Sequence, residues 1–120
     1  MKDNYNLEER TKKFSIEIIN FAESINKNNI TIPIINQLIR SATSIGANYC
    51  EANGASSKKD FKNKIYICKK EARETKYWLE LLVQTNTAYR EKIRLLWQEA
   101  HELTLIFSKI IITIDKKRKI

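Results

Sequence analysis

Glu71 and Glu74 stand three residues apart in a chain of 120 residues, a spacing that puts two carboxylates on one helix face, one turn apart. Such a pair can serve as general acid and base when its surroundings drive the two proton affinities apart. It can also form a salt-linked seam when a cation faces it. Upstream, Gln37, Arg40, Ser44, Asn48 and Glu51 recur at three- or four-residue intervals and line one face beside an apolar stripe. Folding the two segments back about Asn53–Ser56 sets Arg40 level with Glu71, and Gln37 level with Glu74. The expectation is a partly buried network of Arg40, Ser44, Asn48, Glu51, Glu71 and Glu74 that fixes helix register, with no residue assigned to catalysis.

Other reactive constellations are missing from the sequence. A di-iron bundle needs Glu-x-x-His on two helices, and this chain has one histidine, in Glu99-Ala100-His101-Glu102. Cys50, Cys68 and one histidine do not supply the usual four zinc ligands. No glycine-rich phosphate loop exists among two glycines. These absences lead to the expectation of a non-enzymatic protein without metal, cofactor or small-molecule substrate.

The elements that position these residues read as helices. Two glycines and one proline are too few for a turn-rich sheet protein. Helix 1, about 6–26, carries Leu7, Thr11, Phe14, Ile18, Phe21 and Ile25 in one apolar stripe. Helix 2, about 33–53, opens at Pro33, bears Leu38, Ala42, Ile45, Tyr49 and Ala52, and stops at a left-handed Asn53-Gly54. Helix 3, about 57–86, starts at a Ser57/Asp60 cap and repeats Phe61, Ile65, Cys68, Ala72, Thr75, Leu79 and Leu82. Helix 4, about 88–115, shows Ile93, Leu96, Ala100, Leu103, Phe107, Ile110 and Ile114, followed by a basic tail over 116–120. Short connections between helices 2, 3 and 4 force antiparallel neighbours. The fold expected is all-α, a single antiparallel up-down-up-down four-helix bundle.

Gly46 lies inside helix 2, where a close helix contact would account for it. Tyr66, Ile67, Trp78 and Leu81, with Leu95, Leu105, Ile106, Ile111 and Ile112, widen helices 3 and 4 beyond one apolar face and point to self-association. No stretch reaches the roughly 18 uninterrupted apolar residues of a membrane span. Met1–Tyr5 is polar and holds no signal-peptide core, so the expected compartment is the cytoplasm and both cysteines are expected as buried thiols.

The net charge of +8 is unevenly distributed. Met1–Ser57 holds six basic and six acidic residues, and Tyr77–Ile114 four of each. The excess lies in Lys58–Lys76, with eight basic and three acidic residues, and in Asp115–Ile120, with four and one. Antiparallel helices bring Lys58, Lys59, Lys62, Lys64 and Lys69 toward Lys116, Lys117, Arg118 and Lys119 at one pole. Concentrated positive charge is the footprint expected for phosphate-backbone binding. No exposed aromatic pair suggests itself as a base-stacking platform.

The run Gln37-Leu-Ile-Arg40-Ser-Ala-Thr-Ser44-Ile45-Gly-Ala-Asn48-Tyr-Cys-Glu51-Ala52 resembles the Q-I-R-R-A-x-x-S-I-x-x-N-I-A-E-G signature of bacterial four-helix bundle proteins, the 23S rRNA intervening-sequence proteins. Ser57-Lys58-Lys59-Asp60-Phe61 looks like that family's S-x-x-[DE]-F helix start, and Lys70 to Leu79 is similar to its third-helix motif. Ile39 stands where the first arginine is common, and Ala52 replaces the usual glycine. The likeness runs roughly from Phe14 to Phe107. It implies an up-down-up-down bundle assembled as a homopentamer, without established catalytic residues, and similar to the accessory variability protein of diversity-generating retroelements. That protein is a basic pentameric barrel that binds nucleic acid and a reverse transcriptase.

Two functions remain open on these grounds. One is an oligomer that binds RNA or DNA with low sequence specificity at its basic pole. The other is a protein–protein scaffold whose basic pole engages an acidic protein and binds no nucleic acid directly.

Overall fold

The computed structural model describes residues 6–119, and for Arg118 and Lys119 the backbone only. Four helices follow one another: α1 (Leu7–Ser24), α2 (Thr31–Asn53), α3 (Lys58–Thr85) and α4 (Arg90–Lys119). They pack as an antiparallel up-down-up-down bundle about 52 Å long. No helix among the described residues is long and apolar enough to cross a membrane.

Each helix buries the stripe that its 3.6-residue period lays on one side. Leu7, Thr11, Phe14, Ile18, Phe21 and Ile25 are buried on the α1 side, and Leu38, Ala42, Ile45 and Ala52 on α2. Ile65, Cys68, Ala72, Thr75, Leu79 and Leu82 of α3 meet Ile93, Leu96, Ala100, Leu103 and Phe107 of α4. Ile111, expected to flank the core, is buried in it. Cys50, expected to be buried, is exposed, one residue beyond the half-buried Tyr49 on the wheel of α2.

Gly46 sits where α1 and α2 touch. A Cβ there would lie 3.2 Å from Thr11 Oγ1 and 3.4 Å from Thr11 Cβ. Thr11 is itself held in place, because its hydroxyl donates to the Leu7 carbonyl at 2.6 Å.

The helix ends depart from the sequence expectations in three places. α2 begins at Thr31, not Pro33, because Asn28 Oδ1 accepts from the backbone N–H of Ile30 (2.8 Å) and Thr31 (3.0 Å) and so starts the turn earlier. Proline is tolerated throughout the first turn, where backbone N–H groups have no helical acceptor. Gly54 is not left-handed: its φ is −101°, and its N–H donates to Glu51 O at 3.1 Å, closing α2 by a tight final turn. α4 continues through Lys119 instead of giving way to a tail at residue 116. Nothing in Lys116–Lys119 breaks a helix, and cations at a helix C-terminus are favoured by its dipole.

Ser57 caps α3 by accepting from the Asp60 N–H at 3.0 Å. Between α3 and α4, Asn86 caps a short 3-10 turn over Thr87–Tyr89. The Tyr89 hydroxyl accepts from the Asn26 N–H at 3.1 Å, and its ring meets Phe21 edge-on at 6.0 Å. That contact ties the α1–α2 loop to the α3–α4 turn.

Candidate functional site

Three stripes run along α3, each at three- or four-residue spacing. The first is the core stripe. The second (Asp60, Lys64, Ile67, Glu71, Glu74 and Trp78) faces α2 and holds the acidic residues of Lys58–Lys76. The third carries Lys58 and Lys59, Lys62, Tyr66, Lys69 and Lys70, Arg73, then Lys76 and Tyr77, with no carboxylate among them. At about 1.5 Å per residue it extends about 28 Å along the bundle.

On the α2-facing stripe, Arg40 bridges two helices. Its Nη1 donates to Glu71 Oε1 at 3.2 Å, its Nη2 reaches Glu74, and its Nε donates to Gln37 Oε1 at 3.0 Å. Gln37, set level with Glu74 by the turn, spends its side-chain oxygen on Arg40. Trp78 Nε1 donates to Glu74 Oε2 at 3.0 Å. Ser44 donates to the Arg40 carbonyl at 2.7 Å and Asn48 to the Ser44 carbonyl at 2.9 Å, so both bond their own helix. Glu51 accepts from Lys64 at 2.6 Å. The seam is an outward-facing junction: Glu71 is buried, while the Arg40 side chain is 44% exposed.

Burial pushes the Glu74 carboxyl up, but the hydrogen bonds from Trp78 and Arg40 outweigh it and hold the group below its ordinary range. A carboxylate kept ionised in this way suits a salt-linked seam better than a proton donor. Deeper between the same helices, the hydroxyls of Ser41 and Thr75 meet at 2.9 Å in the core.

The basic residues differ in what they already touch. Lys62 pairs with Asp115, and Lys64 with Glu51. Among the described residues, Lys58, Lys59, Lys69, Lys70, Arg73, Lys116 and Lys117 make no ion pair. The Lys62–Asp115 contact brings the last turns of α4 beside the first turns of α3. Lys117 and Lys58 accordingly line one hollow at the end of the bundle, together with Phe61 and Ile114. The side chains of Arg118 and Lys119 lie outside the described residues.

At the other end of the strip, Lys76 Nζ lies 3.0 Å from His101 Nδ1 and 5.2 Å from the Trp97 ring centre, and His101 stacks on Trp97 at 5.1 Å. Trp97 Nε1 donates to Glu80 at 2.8 Å. Glu80 is the next residue in the spacing, and its charge ends the basic strip. Among the described residues no group of three or more His, Cys, Asp or Glu side chains is placed to hold a metal ion.

Sequence reasoning missed the angular separation of charge around α3. The signal was present in the spacing, but charges summed by segment do not reveal it. It also missed Tyr66, which was grouped with the apolar flank, and Tyr77, which was given no role. They are 46% and 53% exposed and belong to the basic strip.

The family model described as 23S rRNA-intervening sequence protein matches residues 3–113. A crystal structure of a protein of unknown function, from the S23 ribosomal protein family of Bacteroides thetaiotaomicron, is 36% identical. It superposes with a TM-score of 0.79, covering 87% of this chain and 96% of its own. No curated protein matches the chain. With residues 3–113 matched by the family model and 87% of its length superposed on a 36% identical relative, the chain belongs to the 23S rRNA-intervening sequence protein family.

Proposed function

We propose that this is a non-enzymatic, cytoplasmic, homo-oligomeric protein that binds RNA or DNA with low sequence specificity along the basic strip of α3 and the adjoining end of α4. The observation that carries this reading is the carboxylate-free strip. Lys58, Lys59, Lys69, Lys70 and Arg73 sit on one side of a single helix without ion-pair partners among the described residues, and Lys116 and Lys117 extend the charge at its end. Such an array gains affinity for a polyphosphate by releasing its counterions, without reading bases.

Self-association is supported by apolar side chains away from the strip. Ile67, Trp78 and Leu81 are half-buried on the α2 side of α3, and Leu95 is 54% exposed toward α1. The resemblance to the intervening-sequence proteins implies five copies.

Filter-binding titration tests the first claim and light scattering the second. Charge reversal at Lys58, Lys59, Lys116 and Lys117 is expected to abolish retention of nucleic acid, and reversal at the exposed Lys12 and Lys13 of α1 to leave it nearly unchanged. Equal loss from both sets, or capture of an acidic protein by a chain that retains no nucleic acid, would overturn the reading. A light-scattering mass of one chain would remove the oligomer.

A further inference from the structure

Tyr66 and Tyr77 are eleven residues apart on α3, three turns and about 16 Å along one side of the helix. Both rings are exposed, and each has a close neighbour. Tyr77 meets Trp78 edge-on at 5.0 Å, and the Lys62 ammonium lies 5.8 Å from the centre of Tyr66. Lys69, Lys70 and Arg73 stand between the two rings. From α4 this surface is bordered by Asp115, already paired with Lys62.

A duplex would satisfy the cations but not the rings, because its bases are stacked on one another. A single strand offers phosphates to the cations and free base faces to the tyrosines. We propose that this strip is a track for single-stranded nucleic acid, with bases stacked on Tyr66 and Tyr77 and the intervening phosphates held by Lys69, Lys70 and Arg73. The inference rests on the strip being the nucleic-acid surface and adds which form of nucleic acid it takes. Glu80 repels a phosphate beyond Tyr77 and sets one end of the track.

The test is a fluorescence-anisotropy titration of the full chain with a labelled oligonucleotide of roughly 12 nucleotides, within the span such surfaces cover. It is run as single-stranded RNA, as single-stranded DNA and as the duplex. Wild type is expected to favour the single strand in at least one of the two chemistries. Tyr66→Leu and Tyr77→Leu should each weaken single-strand binding roughly tenfold while moving duplex binding less than about twofold. Tyr66→Phe and Tyr77→Phe should retain it. If duplex binds as tightly as single strand and the leucine variants bind like wild type, the track is refuted while the basic surface stands. If the leucine variants change the mass of the assembly in light scattering, the tyrosines belong to a contact between copies and the track is refuted. If wild type binds none of the three probes, the basic surface fails and the track with it.

Discussion

Arg10 on α1 closes on Glu99 of α4 through two hydrogen bonds, 2.7 Å from Nε and 2.8 Å from Nη2, and its Nη2 also reaches Glu102 at 2.7 Å. These residues join the first helix to the last, across a seam that elsewhere opens into a groove lined by Lys13, Glu17, Lys92 and Leu95. The fork geometry and partial burial distinguish this pair from an ordinary surface ion pair. The hydrogen bonds that Arg10 donates to Glu99 are the largest influence on the guanidinium and raise its proton affinity further.

Arg10→Met is therefore expected to lower unfolding stability by about 1–2 kcal/mol in urea denaturation, and Arg10→Lys to restore less than half of it. Arg94→Met, which removes an exposed pair with Glu91 at 3.0 Å, should change stability by less than about 0.5 kcal/mol. Equal effects of the two methionine variants would remove the special role given to the α1–α4 clasp.

The Arg40 network makes a coupling prediction. Arg40→Met and Glu71→Gln are expected to be non-additive by about 0.5–1.5 kcal/mol, since the two side chains meet across α2 and α3. A double-mutant cycle that closes to zero would mean that the contact adds nothing to register or stability.

Acid stability follows from Glu74. Its folded pKa lies below the unfolded value, so the unfolded chain binds more protons as pH falls through the carboxylate range. The contribution is present above the unfolded value, about 4.3, and is lost as pH drops through the folded one. Chemical denaturation from pH 6 down to 3 should show a shallower loss of stability for Glu74→Gln than for wild type. Because the side chain is 32% exposed, solvent screening keeps the difference small. Superimposable pH profiles would contradict the assignment.

Gly46 makes a prediction of sign. Alanine gains about 1 kcal/mol in helix propensity over glycine, but here its Cβ meets Thr11 Oγ1 at 3.2 Å and that hydroxyl is already bonded. Gly46→Ala is expected to lower the melting temperature in wild type and to raise it in a Thr11→Ala background. The same sign in both backgrounds would show that Thr11 is not the obstacle.

The apolar stripes were legible because helical periodicity is a local property. Leu7 through Ile25 on α1 could be read from spacing, as could the cap at Ser57. Helix ends were less legible, since they depend on competition among single hydrogen bonds: Asn28 starts α2 before Pro33, and Gly54 closes it without a left-handed residue. Arg40, Glu71 and Glu74 could be set level with one another because one short turn joins their helices. Arg10 and Glu99 could not, because their register accumulates through three connections. The basic strip lay between these cases. Its spacing is as regular as that of the core, but charge counted along the chain conceals charge arranged around a helix.

The salt dependence of nucleic-acid binding tests the basic strip most directly. Affinity for a single-stranded oligonucleotide, measured over several salt concentrations, is predicted to fall linearly on logarithmic axes. The slope should shrink by roughly 0.7 for each cation removed in the order Lys69→Gln, Lys70→Gln, Arg73→Gln. No binding at about 50 mM salt, or a slope unchanged by all three substitutions, would contradict the assignment of the strip.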